Sequence, residues 1–550
     1  MKTSFLLALP ALAVGLASRD FAQANQVAGR DVQLFSLSTL TAMGRTGAFP
    51  NGNNGVAMST TSCNTGTGNI PWNQAMSETH PMISFIVARR EVGDTRITQI
   101  SDRSFIKHGF FATNSPGCGT CQHPGSGSQL GVGCSDTYGT TNNGDNFWLG
   151  PPDEFDPWLG TWEATCSHFD KGEPPVAPAQ QCDGLRSLTT GQATALGPVG
   201  HRINVLDSAF NTAAAGWAYQ AQYNVVGEPE LERDNNTAWR SFTPTWSAAQ
   251  NRWNFAQPAG TTYNSILSAW PGATLVDAIN GGDDGRVYVA FKVTGPVNGL
   301  YHYEYAVHNR DNHRGIDAFR LPICPSAHIV NVGFHDVDQN AGNAWTFANN
   351  GNEIAWTTDS NPLNWNSFFN FWFDSDAAPQ FSTCLLDQDK QGAGLAQLSA
   401  SVRTPQTVFN VYLGDGCSNT APPVLFATGT PAAATIPNAT FGFQSNGNTV
   451  LSPVTLFYGG IPGTQNFGGA CNVYMGGWLG TGITVWSTAI ADAFGNANFA
   501  VAVPNDPGLE GLEFRFQSLG FNGGGGPLFG SFDLSNGLNV RIGNAIPNCP

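Results

Sequence analysis

Residues 286–309 read RVYVAFKVTGPVNGLYHYEYAVHN, and this stretch decides the fold. RVYVAFKVTG (Arg286–Gly295) and LYHYEYAVHN (Leu300–Asn309) are each rich in β-branched and aromatic residues. The turn signals around Pro296 and Gly299 join them into a hairpin. In an extended strand the side chains alternate faces. Tyr301, Tyr303, Tyr305 and Val307 therefore share one side of the second strand, and His302, Glu304, Ala306 and His308 share the other. The tyrosine side is the expected core face.

Outward from the hairpin the same signal repeats. AHIVNVGFHDV, EIAWTT and SFFNFWFDSD follow at the spacing of a β-sandwich. Helical periodicity is nearly absent along the chain. The expected fold class is all-β, with a disulfide-rich N-terminal region followed by two β-sandwich-like domains. Residues 1–24 read as a signal peptide: Lys2, an apolar run from Phe5 to Leu16, and Ala22-Gln23-Ala24 as a cleavage site. Residues 25–200 form a Cys-rich, loop-rich region with strand candidates such as MISFIVARR (Met82–Arg90). Residues 201–404 form a central sandwich carrying the histidine cluster. Residues 405–550, without histidine or lysine, form a C-terminal sandwich suited to binding, anchoring or sorting. The alternative for the first two regions is that they interleave into one unit.

Composition narrows the function classes. The chain of 550 residues has a net charge of −16, and 12% of its residues are charged. That share is about half of the usual one. With five lysines it is a poor partner for nucleic acid or an anionic membrane. No stretch after the leader approaches the roughly 20 apolar residues of a membrane span. Eleven cysteines in an exported chain read as disulfides, six of them between Cys63 and Cys182, with an odd thiol left over. The expected location is extracellular or at the cell surface.

The hairpin, NVGFHDVD, NPLNWNSFFNFWFDSDAAP and the terminal DAFGNANFAVAVP, LEFRFQSLGF and LSNGLNVRIG resemble a group of large secreted, β-rich modular proteins of environmental bacteria. The N-terminal SFIKHGFFA and LGVGCSDTYG are similar to that group too. The resemblance implies export and a modular β build, and it assigns no catalytic residue.

Five constellations could carry chemistry. Five of the ten histidines lie between His302 and His335. His302, Glu304 and His308 on one strand face, with His335 as fourth ligand, would suit copper or zinc. The competing reading puts that face in solvent near Lys292. Lys107 and His108, set among aromatics in FIKHGFF, are a candidate base and electrostatic stabiliser. Glu154 and Asp156, among Trp148, Trp158 and Trp162, are a candidate glycosidase pair. Asp336, Asp338 and Asn340 place oxygen donors at alternating positions, as calcium loops do, although Phe347 stands where an EF-hand has its glutamate. Asp387-x-Asp389-x-Gln391 is a second such loop. Cys118-x-x-Cys121-x-His123 could hold zinc, but in an exported chain its cysteines are expected to be oxidised. No Walker loop, H-E-x-x-H, G-x-S-x-G or G-x-G-x-x-G occurs. Two functions remain: a secreted metal-binding protein, extending to a metal-dependent enzyme on an extracellular polymer such as polysaccharide, or a non-catalytic surface or matrix adhesion protein. The expected partner is an extracellular glycan or a cell-surface component.

Overall fold

The structure is a computed structural model that describes residues 26–543 except 75, 109–110, 141–148, 172–181, 259, 280–284, 326, 339, 408–409 and 431. The expected signal peptide lies outside the described residues. The chain is all-β, with 47% strand and 7% helix.

The hairpin forms as its sequence dictates. Arg286–Val297 pairs antiparallel with Leu300–Asn309, and the two residues between them, Asn298 and Gly299, are both left-handed (φ 53° and 81°). Such a loop matches the twist of the flanking strands. The hairpin lies in a five-stranded sheet with Thr274–Ile279, Ser367–Ser375 and Ile329–His335. A second five-stranded sheet, centred on Ile316–Pro322, covers one of its faces. Between the two lie Tyr303, Tyr305, Val307, Phe371 and Phe373 from the first sheet, and Phe319, Trp356, Leu386 and Val402 from the second. The tyrosine side is indeed the core side.

An eight-stranded sheet takes Met82–Arg90, Ile106–His108 and Leu149–Gly150 from before position 200, and Gly216–Asn224, Thr237–Ser247 and Arg252–Ala256 from after it. Met82–Arg90 pairs with Gly216–Asn224 over nine residues. Ile203–Leu206 likewise pairs with Asn53–Ala57. The expected division at 200 thus runs through paired strands, because backbone hydrogen bonding draws the loop-rich region and the residues after it into common sheets. A four-stranded sheet built on Val32–Leu37 and Thr60–Asn64 covers one face of the eight-stranded sheet, over a core that includes Leu34, Phe85, Val87, Tyr219 and Tyr223. Three bridges brace this part: Cys63–Cys118, Cys121–Cys134 and Cys166–Cys182.

The other face of the eight-stranded sheet packs on the central sandwich. Ile86, Ala88, Ile97 and Ala218 meet Tyr288, Ala290, Ala306 and Phe368. Small side chains let the two sheets approach closely. Phe85 and Val87 face one core while Ile86 and Ala88 face the other, so a strand buried on both faces reads as an unbroken apolar run.

The strands after Asn410 pair among themselves. A seven-stranded sheet that includes Pro453–Gly459, Gly482–Ile490 and Glu513–Phe521 faces a three-stranded one over Leu425, Phe443, Leu456, Phe516 and Val540. Cys417–Cys471 bridges this unit, Cys324 is also disulfide-bonded, and Cys384 is a free, buried thiol.

Candidate functional site

The imidazole-bearing face of Leu300–Asn309 forms the seam against the eight-stranded sheet, with Glu304 and His308 buried in it and His302 partly exposed at its edge. Glu304, 1% exposed, receives both Nε and Nη2 of Arg96 at 2.6 Å. The Arg96 guanidinium lies 3.4 Å from the ring centroid of Trp372. Trp372 in turn lies flat over Gly333, where a Cβ would come within 2.0 Å of the ring. His302 is held at both nitrogens, Nδ1 by Asp374 (2.6 Å) and Nε2 by Glu304 (3.2 Å). The hydrogen bond to Glu304, aided by Asp374, raises its pKa above the ordinary histidine value. His308 is fully buried, bonded through Nδ1 to Ser265 Oγ (2.8 Å) and stacked on Tyr288. Burial pushes it down to about 3, so it is neutral. Among the described residues, three ligand-type side chains come within ligating distance of one another only at Cys166, Asp170 and Cys182. Two of those are joined to each other as a disulfide. His302, Glu304, His308 and His335 therefore do not converge as a set: His302 bonds Glu304 and Asp374 within its own sheet, Glu304 is claimed by Arg96 as well, and His308 bonds Ser265.

The other expected sites are occupied locally. Glu154 accepts the backbone N–H of His168 (2.6 Å) and Trp162 Nε1 (3.2 Å). Asp156 caps the N–H groups of Trp158 and Leu159 (3.0 and 2.9 Å). Both carboxylates hold loop backbone in place of flanking an open subsite. Lys107 and His108 lie in the short strand Ile106–His108, between Met82–Arg90 and Leu149–Gly150, and their side chains lie outside the described residues. Asp338 accepts from Asn340 N and Asn343 Nδ2 (both 2.7 Å), Asn340 accepts from Gly342 N, and Asp336 accepts from Asn361 Nδ2. The oxygens of Asp338 and Asn340 brace their own loop, and Asp336 ties it to Asn361. Asp387 pairs with Arg320 within the second sheet of the sandwich. The cysteines of Cys118-x-x-Cys121 are in separate disulfides, as oxidation predicts.

Two expected residues, His335 and Asp338, do open onto a cavity. His335, last in its strand, lines a cleft of about 670 Å³ at the edge of the seam. Arg89, Gln99 and Asp102 contribute from the eight-stranded sheet and its neighbourhood, Asn53, Asn204, Ser208 and Thr212 from the Asn53–Leu206 side, and Asp338 from the loop after His335. Leu206, Ile100 and Val337 supply apolar patches. Burial, with Arg96 and Arg89 nearby, lowers the His335 pKa, so its imidazole is neutral at pH 7. Arg89 is aimed by Glu91 (2.8 Å) and the Ala209 carbonyl (3.3 Å), and Asn53 by Asn204 (3.1 Å). The sequence signalled His335 and Asp338 for another role, and nothing in it pointed to Asn53, Asn204 or Gln99. Arg89, a charge ending an apolar strand, is the one residue whose pattern could have drawn notice.

Just past the end of Leu300–Asn309 lies a buried ionic cluster. Arg310 and Asp311, each 1% exposed, pair at 3.0 Å. Arg233 reaches Asp311 (3.2 Å), while Arg286 and Arg310 both reach Glu230 (2.6 and 3.2 Å). Every member of this cluster is taken up by another.

No family model matches the chain, and no curated protein matches it. Among solved structures, Escherichia coli alpha-2-macroglobulin activated by porcine elastase aligns with 94% of this chain at 6% identity and a TM-score of 0.16. The chain spans 35% of the length of that structure, and a likeness this low carries no argument. No helix among the described residues is long and apolar enough to cross a membrane.

Proposed function

We propose that the chain is an exported, disulfide-braced binding protein of the surface or matrix type, which takes a hydroxyl-rich ligand such as an extracellular glycan in the seam cleft. The observation that carries this reading is the cleft itself. Its 670 Å³ lie within the roughly 300–1,000 Å³ of small-ligand sites, and its lining mixes amide, hydroxyl, guanidinium, imidazole and carboxylate groups with small apolar patches. Amides and carboxylates held by second partners present fixed donors and acceptors, which is what a polyhydroxylated ligand needs, since it otherwise prefers water. Bridged cysteines and the leader-like start support export.

The test is a glycan array followed by calorimetry with the purified protein. Binding should be saturable, and Arg89→Ala and His335→Ala should each weaken it about tenfold or more. Binding that both variants leave unchanged would place the ligand elsewhere. A second reading, turnover of a polymer in the same cleft, is favoured by His335. It is a neutral imidazole with no hydrogen-bond partner among the described residues, and Asp102 and Asp338 line the same cleft. New reducing ends from a polysaccharide panel, lost in His335→Ala, would establish it. Copper or zinc at this position would be carried by His335, and metal uptake abolished by His335→Ala but not by His308→Gln is the corresponding result.

A further inference from the structure

The C-terminal sandwich holds a second cavity of a different character. It measures about 380 Å³ and opens on the face of the seven-stranded sheet that points away from the module's main core. Its floor is Ile483, Leu528 and Leu534, part of a separate apolar cluster built around the Cys417–Cys471 bridge. Its rim is Phe467, Trp478, Leu479, Val485 and Phe529. These are large apolar side chains left in water: Phe529 is 74% exposed, Leu479 71% and Trp478 65%. Scattered apolar residues on a surface need no explanation, but a contiguous apolar patch around a hollow marks a binding site.

The walls are tied. Gln465 Nε2 donates to the carbonyls of Met475 (2.9 Å) and Gly477 (2.6 Å), which fastens the 465–473 hairpin to the chain that carries Trp478. Both N–H groups of that amide are spent on the walls, and the surface that the lining presents to the hollow is almost wholly apolar. No residue of the lining is ionisable, and the whole region 405–550 has neither lysine nor histidine. The chemistry therefore excludes a charged headgroup. It fits a neutral, apolar body. The size favours a small molecule over a second copy of the chain, because a standard interface covers about 800 Å² per partner.

We propose that this pocket binds a neutral apolar small molecule of the long-chain alcohol type, its hydrocarbon against the aromatic rim and its hydroxyl at the open mouth, in water. The site is independent of the seam cleft. The pocket would give the exported protein a second kind of ligand, or a grip on apolar material beside a glycan.

The experiment uses the full exported protein and the neutral fluorophore N-phenyl-1-naphthylamine. Saturable one-site binding is expected, displaced by 1-decanol and about tenfold less well by decanoate, whose carboxylate has no partner here. The double variant Trp478→Ser/Phe529→Ser should weaken binding about tenfold or more, with the far-ultraviolet dichroism of the wild type, since both side chains are exposed. Val485→Trp, which fills the pocket from an exposed position, should do the same. Leu231→Ser, at an exposed leucine remote in sequence, should change nothing. The proposal is overturned by non-saturable binding, by decanoate displacing as well as decanol, or by binding that both pocket variants leave intact. It is also overturned if sedimentation shows a dimer that the double variant dissociates, because the pocket would then be covered by a second copy.

Discussion

Replacing Arg96 with methionine is the most informative perturbation of the seam. Arg96 makes two hydrogen bonds of 2.6 Å to Glu304, whose side chain is 2% exposed, while its own is 21% exposed. Removing one partner of a buried pair strands the other charge and costs about 3–5 kcal/mol. Arg96 also lies face-on to Trp372 at 3.4 Å, a contact worth about 0.5–2 kcal/mol that a methionine recovers only in part. His302 Nε2, 3.2 Å from Glu304, offers partial relief when it is protonated. The expected loss is therefore about 4 kcal/mol at pH 8 and smaller at pH 5.5. Urea unfolding followed by tryptophan fluorescence reads it in the transition that separates the two sheets. The double variant Arg96→Met/Glu304→Leu should restore most of the loss, because no charge is then left buried. A single-variant loss below about 1 kcal/mol, or a double variant no better than the single, would refute the account of a seam latched by this pair.

Two histidines should tilt stability in opposite directions with pH. The folded value of His302 is raised, so its contribution is complete below the free value of about 6.5 and fades as pH rises through the folded value; His302→Gln should flatten that limb of the unfolding free energy. For His308 the folded value is about 3, so stability is complete above pH 6.5 and falls as the solution is acidified toward 3; His308→Gln should flatten the acid limb. Thiol titration of the denatured, unreduced protein should find one reactive thiol, Cys384, whose burial in the native state pushes it up to about 12 and makes it inert before unfolding. Removing the Cys63–Cys118 bridge with a pair of serines should lower stability by roughly 2–5 kcal/mol in a thermal or urea unfolding experiment.

The hairpin was legible because alternation is a local property: which residues share a face follows from the backbone alone. What lies opposite that face is not local. Arg96 meets Glu304 across 208 residues of sequence, and Gln99 receives the N–H of Phe368 across 269. The shared face of His302, Glu304 and His308 was legible at this step and their partners were not: Asp374 for His302, Arg96 for Glu304 and Ser265 for His308. The division at 200 parts from the structure for a related reason. Loop-rich composition describes the connections of the first region, whereas the pairing of Met82–Arg90 with Gly216–Asn224 depends on a register that composition does not record. Glu154 and Asp156 looked available because nothing in the sequence shows that nearby backbone N–H groups will claim them. The cleft was illegible because its lining comes from four separate segments, around Asn53, Arg89, Asn204 and His335.

The polar groups of the seam follow a logic of position more than of strength. Ala88, Ala218, Ala290 and Ala306 give the two sheets a smooth contact, and apolar packing alone resists sliding weakly because it has no direction. Directional bonds are set along two neighbouring strands: Arg96 on Glu304 in Leu300–Asn309, Asn370 on the Ile97 carbonyl and Phe368 N on Gln99 from Ser367–Ser375, and the Arg310–Asp311–Glu230 cluster just past Asn309. Buried ion pairs add little net stability over apolar replacements, but they penalise every arrangement in which a charge loses its partner. A slip of one residue would part Glu304 from Arg96, Asp311 from Arg233 and Arg310 from Glu230 together. The seam is thereby fixed at both ends, and so is the separation of Arg89 and His335, which reach the cleft from opposite sheets. A site assembled from distant segments needs such fixing, since its donors and acceptors must hold their spacing before any ligand arrives.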